Sequence, residues 1–434
     1  MTRRFQRVAS RLNFALALAV GSSIPCMAEA TIVAGPDIGN AFLPTLFPVT
    51  VAVLEDGSFA LSGTTISPAS DGGPQDERAQ FAVQAYSPRG RPLGAPFLPQ
   101  VAATPPADNG GIGSLGDHYF VSWQHHANQT SRATLLGKAG QMLTPAFAFP
   151  NSDIDFYALY DRYGHAPTWH FLPSFYFDAG TNPTTGESIS QANVQAYGAD
   201  GRPIGMPAGL VTRPGWDFID DLAINGDGSF VVASQRCAED FSSCANGVQI
   251  FKPNGRPATP FLTSGVPPPE TISVIVTGVA PSGEFVLVWG EEENGMAELF
   301  LRLFDRSGRA LTDAINVTAA PGPAAFRPAV RRHGDDFVLA WTFIHDSSED
   351  FYLSEFLSAS RRVTPPILVA HGDDFPQPAG SNNISVPGYT FEMNDAGRGV
   401  LAWTTFDELF TFTGHLRLIT AEGDRSAEEQ TDER

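Results

Sequence analysis

The sequence predicts an all-β protein: a seven-bladed β-propeller of four-stranded antiparallel blades, with an N-terminal strand closing the last blade. Three observations carry this prediction. Helical periodicity is nearly absent beyond residue 30, and short runs of Val, Ile, Phe, Tyr and Leu are cut by Gly, Pro, Asn or Asp every ten residues or so. Two short anchors recur along the chain at a period of about 55 residues. Each period has room for four strands, as a propeller blade requires.

The first anchor is a turn dipeptide leading into an apolar strand. It appears at Asp56-Gly57-Ser58-Phe59, Gly116-Asp117-His118-Tyr119, Asp227-Gly228-Ser229-Phe230, Ser282-Gly283-Glu284-Phe285, Gly334-Asp335-Asp336-Phe337 and Asp395-Ala396-Gly397, with a degenerate copy at His170 to Phe175. Four copies place Trp inside the strand, at Trp123, Trp289, Trp341 and Trp403; a residue repeated at one strand position packs between sheets, so these are assigned to the core. The second anchor is an apolar strand ending in a Gly turn. It runs Tyr86 to Pro92, Leu136 to Gly140, Tyr197 to Pro203, Phe251 to Pro257 and Phe304 to Arg309. Weaker copies are Phe356 to Arg361, where Ser360 stands in for glycine, and Ile419 to Gly423.

In order along the first complete unit, strand A is expected over Val49 to Leu54, strand B over Ser58 to Ser62, strand C over Gln80 to Tyr86 and strand D within Pro96 to Ala102. The fifth unit repeats the plan at Ile272 to Thr277, Glu284 to Trp289, Glu298 to Phe304 and Ala314 to Val317. The last unit has no strand D of its own. Thr31 to Pro36 resembles the D strands of other units and is expected to fill that place, which also covers an open sheet edge. This plan gives domains of 1–30 (signal peptide), 31–423 (propeller) and 424–434 (polar tail).

The first segment reads as a secretory signal: Arg3, Arg4, Arg7 and Arg11 precede the apolar run Phe14 to Val20, and Ala28-Glu29-Ala30 gives a small-x-small cleavage site. That run is too short to cross a bilayer. Export to the periplasm or the medium follows. Of the three cysteines, Cys26 leaves with the signal. Cys237 and Cys244 are then expected to form a disulfide in an oxidising compartment, with a two-cysteine metal site as the lesser alternative. The formal net charge is −20, and removing residues 1–30, with four Arg and one Glu, leaves −23. Such a charge argues against nucleic acid or an anionic membrane surface as partner.

The plan places the A–B and C–D turns on one face and the B–C loops and D–A connectors on the other. The short-turn face carries both signs: acids such as Asp56, Asp117, Asp227 and Asp335, and bases such as Arg89, Arg91, Lys138, Lys252, Arg256 and Arg309. The long-loop face is acidic and varies most in length, which makes it the first place to seek a ligand. Candidates there are Trp216 with Asp217, Asp220 and Asp221; Glu291, Glu292 and Glu293; and His125 and His126; Trp169 with His170 is a further candidate in the aromatic-rich third unit. Exposed rings suit sugar stacking and oxygen-rich loops can hold calcium, but rings also fill wedges between blades and acidic loops are ordinarily only solvated. Neither acidic cluster has the spacing of a dedicated calcium loop, and one histidine pair without a third ligand is weak for zinc. Gly111 to Gly116 matches a dinucleotide glycine pattern but precedes a strand rather than a helix, so it is discarded.

An aromatic strand ending in Trp, then an apolar strand ending in x-x-Gly-Arg-Pro, resembles the repeats of uncharacterised secreted bacterial β-propellers. The resemblance spans nearly all of residues 31–423 and implies architecture alone, with no catalytic residues to carry over. The expected function is a non-catalytic exported binding scaffold, monomeric, meeting a protein, glycan or cation on its acidic face. No catalytic residue and no cofactor is expected beyond structural calcium. The alternative is a hydrolase or lyase acting on a polysaccharide or other polymer in the central funnel, which would need carboxylates, or a His with a carboxylate, converging there. A purely structural surface protein is a third reading.

Overall fold

A computed structural model describes residues 32–38, 50–66, 79–99, 109–125, 130–148, 174–181, 188–197, 203–209, 216–224, 227, 229–238, 244–263, 275–293, 296–318, 322–323, 328–345, 348–370, 389–406 and 412–421. The expected signal peptide and polar tail lie outside these residues. Among them the strands form seven antiparallel sheets and no helix. The first contains Thr50–Val53, Phe59–Ile66, Ala79–Tyr86 and Pro92–Phe97, side by side in chain order. The second contains Asn109–Leu115, His118–His125, Thr130–Leu136 and Phe147–Ala148. The third has three strands, Ser174–Thr181, Ser188–Tyr197 and Pro203–Gly209. The fourth contains Trp216–Ile224, Phe230–Cys237, Cys244–Phe251 and Leu262–Thr263.

The fifth sheet is built from Ile275–Val279, Phe285–Glu293, Met296–Phe304 and Ile315–Asn316, with Gly322–Pro323 also on the third strand. The sixth is built from Ala329–His333, Asp336–His345, Ser348–Leu357 and Arg362–Val363, with Ile367–Ala370 also on the third strand. The seventh joins Thr390–Met393, Arg398–Phe406 and Phe412–Ala421 to the N-terminal strand Ile32–Asp37, which pairs antiparallel with Phe412–Ala421 from Ile32↔Ala421 to Asp37↔Arg417. Both ends of the described chain therefore share one sheet.

The repeat anchors are cross-strand partners. The aromatic that opens the second strand stacks on the one that closes the third: Phe59 on Tyr86 at 5.0 Å, Phe230 on Phe251 at 5.1 Å and Phe285 on Phe304 at 5.0 Å, all nearly parallel. Each pair is directly opposite in the register and fully or almost fully buried. Such pairs add to the area term by fixing which residues face one another. The tryptophans are also in the core: Trp289 and Trp341 are 1 % exposed and Trp123 and Trp403 3 %.

Each apolar cluster is shared by two neighbouring sheets. Ala52, Phe81 and Val83 of the first pack with Val121, Trp123 and Leu136 of the second. Val51, Phe59 and Leu61 of the first also pack with Val400, Ala402 and Leu416 of the seventh. The same sharing joins fourth to fifth, fifth to sixth and sixth to seventh. The contacts run from the third sheet through the seventh to the first and second, and the first strand of a sheet recurs in them.

The expected strand D of the first unit is displaced. It runs Pro92–Phe97 rather than within Pro96 to Ala102, because the Gly turn returns the chain at once: Ser87 N–H bonds the Arg91 carbonyl at 2.8 Å and Tyr86 already faces Pro92. Gly90, Gly140, Gly255 and Gly308 close equivalent turns with φ of 75° to 86°. The sixth turn differs. It is a four-residue loop between Leu357 and Arg362, and its left-handed residue is Arg361 (φ 54°), not Ser360. These turns lie on the sheet before them: a Cβ at Gly308 would meet Leu262 at 2.2 Å, and Arg361 donates to the Leu311 carbonyl at 3.1 Å.

Candidate functional site

The acidic cluster at the start of the fourth sheet is not a connector. Trp216, Asp217, Asp220 and Asp221 all belong to the strand Trp216–Ile224, which runs beside Phe230–Cys237 for its full length. Asp220 is the extra residue of a bulge between Ile219 and Asp221, and Asp217 stands opposite Arg236 in the register. Asp221 is 2 % exposed, and its Oδ2 accepts the backbone N–H of Thr277 on the fifth sheet at 2.8 Å. A buried carboxylate needs such a partner, and here the bond crosses a sheet interface. On the same sheet the Arg236 guanidinium donates to Gln249 Oε1 at 2.6 Å and lies 4.1 Å from the centre of the Phe261 ring.

Glu291, Glu292 and Glu293 are likewise not a loop. They end the strand Phe285–Glu293, whose register with Met296–Phe304 runs as far as Glu293 opposite Met296. The Trp289 indole N–H donates to Glu291 Oε1 at 2.8 Å. Trp123 and Trp341 have no such acceptor and bury their indole N–H without a partner among the described residues. Glu298, opposite Glu291, accepts from the Asn316 amide at 2.9 Å. His125 is the last residue of His118–His125, and His126, Trp169 and His170 lie outside the described residues. Cys237 and Cys244 face one another at the end of a hairpin.

The polar groups with the most distinctive surroundings lie at the short-turn ends of the strands. Between the first and second sheets, Lys138 Nζ bonds Asp56 Oδ2 at 2.7 Å, and Asp56 also accepts from the Ser58 amide. Burial pushes the Asp56 carboxyl up, but the bonds from Lys138 and Ser58 outweigh it and hold the group at about 2. Between the sixth and seventh sheets, Glu355 is fully buried; its Oε1 meets His333 Nδ1 at 2.8 Å, and its Oε2 is buried without a partner among the described residues. The Glu355 bond raises His333 above its ordinary value, against the opposing effect of burial.

Sequence reasoning passed over this pair, although a signal was present. Along Ser348–Leu357, Phe351, Leu353 and Glu355 have the same parity and all are buried. A carboxylate in the core-facing series requires a buried partner. Among the described residues no group of three or more His, Cys, Asp or Glu is placed to hold a metal.

No family model matches the chain, and no curated protein does. Among solved structures it is similar to a protein of unknown function from Dyadobacter fermentans (TM-score 0.48, 11 % identity, covering 90 % of this chain and 99 % of that one). It is also similar to the polysaccharide lyase Uly1 (0.46, 12 %, 88 % and 91 %) and to an α-L-arabinofuranosidase from Fusarium graminearum (0.42, 8 %, 89 % and 98 %). Likenesses of this degree assign no chemistry to the chain.

Proposed function

We propose that this chain is an exported seven-bladed β-propeller, residues 31–423 behind a signal peptide of residues 1–30 and ahead of a polar tail, and that it binds a ligand without transforming it. Seven sheets, six of which share apolar cores with their neighbours among the described residues, and a seventh that holds both ends of the described chain, support the ring. A Cys237–Cys244 disulfide fits export: the two are register partners in adjacent strands.

The observation that carries the binding reading is the employment of the described acidic candidates. Asp221 is committed to a backbone amide of the next sheet and Glu291 to the Trp289 indole. The first bond joins two sheets, and the second satisfies the indole N–H of a core tryptophan. Ligand recognition is then left to the long loops, which vary from unit to unit while the turns at the other end repeat.

The test exposes the purified protein to a glycan array and, in thermal shift, to a panel of divalent cations. Saturable binding to one class of glycan or cation, with no shortening of polymeric glycans on prolonged incubation, is the expected result. Depolymerisation would replace this reading with the polymer-cleaving one. N-terminal sequencing of the exported protein should begin at Thr31; an intact Met1 would remove the signal peptide.

A further inference from the structure

His333 lies where the sixth sheet meets the seventh. It ends the first strand of the sixth sheet and opens the turn to Asp336. On one side it holds Glu355. On the other it packs against the turn Asn394 to Gly397, where a Cβ added at Gly397 would meet His333 Nε2 at 2.8 Å and the Ala421 side chain at 3.0 Å.

That turn is a junction. Asn394 Nδ2 donates to the Leu54 carbonyl of the first sheet at 2.7 Å. Gly397 accepts from the Ala421 amide at 2.9 Å, and Ala421 pairs with Ile32 of the N-terminal strand. The sixth sheet, the first sheet and both ends of the described chain thus meet around one turn, and His333 packs against it.

We propose that His333 and Glu355 form a proton-controlled latch under this junction, holding the seventh sheet closed while His333 carries its proton and loosening it when the proton leaves. The chemistry is one-sided. Glu355 is fully buried and its second oxygen has no partner among the described residues, so the imidazolium is the cation that balances it. A buried carboxylate stripped of its counter-charge is strongly destabilising.

The other charged groups around His333 are Asp336 and Asp335 on the turn, and Asp395 on the seventh sheet. Asp395 is occupied by an ion pair with Arg332. Asp336 and Asp395 favour the protonated ring. The sign follows from linkage. His333 is raised above 6.5, so its stabilising effect is complete below the ordinary histidine value and is lost as pH rises through the higher folded value.

The experiment follows the full chain by hydrogen exchange and by its urea midpoint across mildly acidic to mildly alkaline pH. The expected result is a midpoint that falls as pH rises above the ordinary histidine value. Protection at Ala421 and Val33 should fall beyond the intrinsic base-catalysed rate and by more than at Val232 of the fourth sheet, which follows only the global loss. Glu355→Gln should abolish that slope; Asp336→Asn should keep it. A flat wild-type midpoint, a slope surviving in Glu355→Gln, or a slope lost in Asp336→Asn would each overturn the latch. Should Glu355→Gln fail to fold, the NMR titration of His333 in the wild type decides: a midpoint at or below the ordinary histidine value overturns it, and one above sustains it.

Discussion

Two glycines with the same backbone requirement meet different surroundings. Gly116 (φ 63°) and Gly308 (φ 86°) both occupy the left-handed region, where a side chain is strained by about 1–2 kcal/mol. A Cβ at Gly116 would have nothing within 4 Å, whereas at Gly308 it would lie 2.2 Å from Leu262 Cδ1. Gly116→Ala should cost about 1 kcal/mol. Gly308→Ala should cost more, because either the Leu262 side chain or the third-strand turn of the fifth sheet must move; equal urea midpoints would show that Leu262 yields freely. Asp221 yields a second test. Asp221→Ala leaves the Thr277 amide unbonded and should cost about 1–3 kcal/mol. The loss should be the same with calcium or with a chelator. A loss confined to calcium-containing buffer would instead make Asp221 a metal ligand. This residue was visible in the sequence as one of three nearby aspartates, but its role was not. A connector and the first half of a strand have the same composition here, and the partner of Asp221 is a backbone amide that carries no residue-type signal.

At the scale of elements, the second and third strands of each sheet were the most legible part of the sequence. Their ends are fixed by paired demands: a turn residue and an aromatic that must stack across the sheet, as Phe285 does on Phe304. The outer strands were the least legible. Leu262–Thr263 and Ile315–Asn316 are two residues long, too short for a period-2 pattern to declare itself. The outer strand of the first sheet begins at Pro92 and includes Pro96, residues tolerated there because an edge leaves N–H positions unused. The N-terminal strand was found through its likeness to other outer strands. Its attachment is substantial: Ile32 is 7 % exposed, Ile38 N–H bonds the Leu416 carbonyl at 3.0 Å, and Asp37 Oδ2 meets His415 Nδ1 at 2.7 Å. Deleting Ile32–Asp37 exposes the edge of Phe412–Ala421 and should lower the melting temperature. It should also promote self-association through that edge, read by light scattering. Unchanged melting and a monodisperse profile would mean the strand rests on the sheet without supporting it.

At the scale of the whole molecule, the apolar cores among the described residues belong to no single sheet. In the second strand of the sixth sheet, Phe337 and Leu339 pack towards the fifth sheet, while Val338 and Ala340 pack towards the seventh. Period-2 alternation thus commits one strand to two interfaces. Removing a side chain from either face weakens an interface on which the next sheet also depends, so the described sheets should unfold as a unit and not as independent domains. Leu339→Ala, at a position 1 % exposed, should cost about 2–5 kcal/mol. The cost should appear at a distance. Under conditions where exchange reports global opening, protection should fall by the same amount at the substituted position, at Phe59 in the first sheet and at Val232 in the fourth, the last two of which the substitution does not touch. A fall confined to the fifth and sixth sheets would mean that each pair of sheets opens separately, and the shared clusters would then be adhesive contacts between autonomous units. The stacked Phe59–Tyr86 and Phe230–Phe251 pairs make the remote amides suitable reporters, because each lies in a strand whose exchange requires a buried ring pair to part.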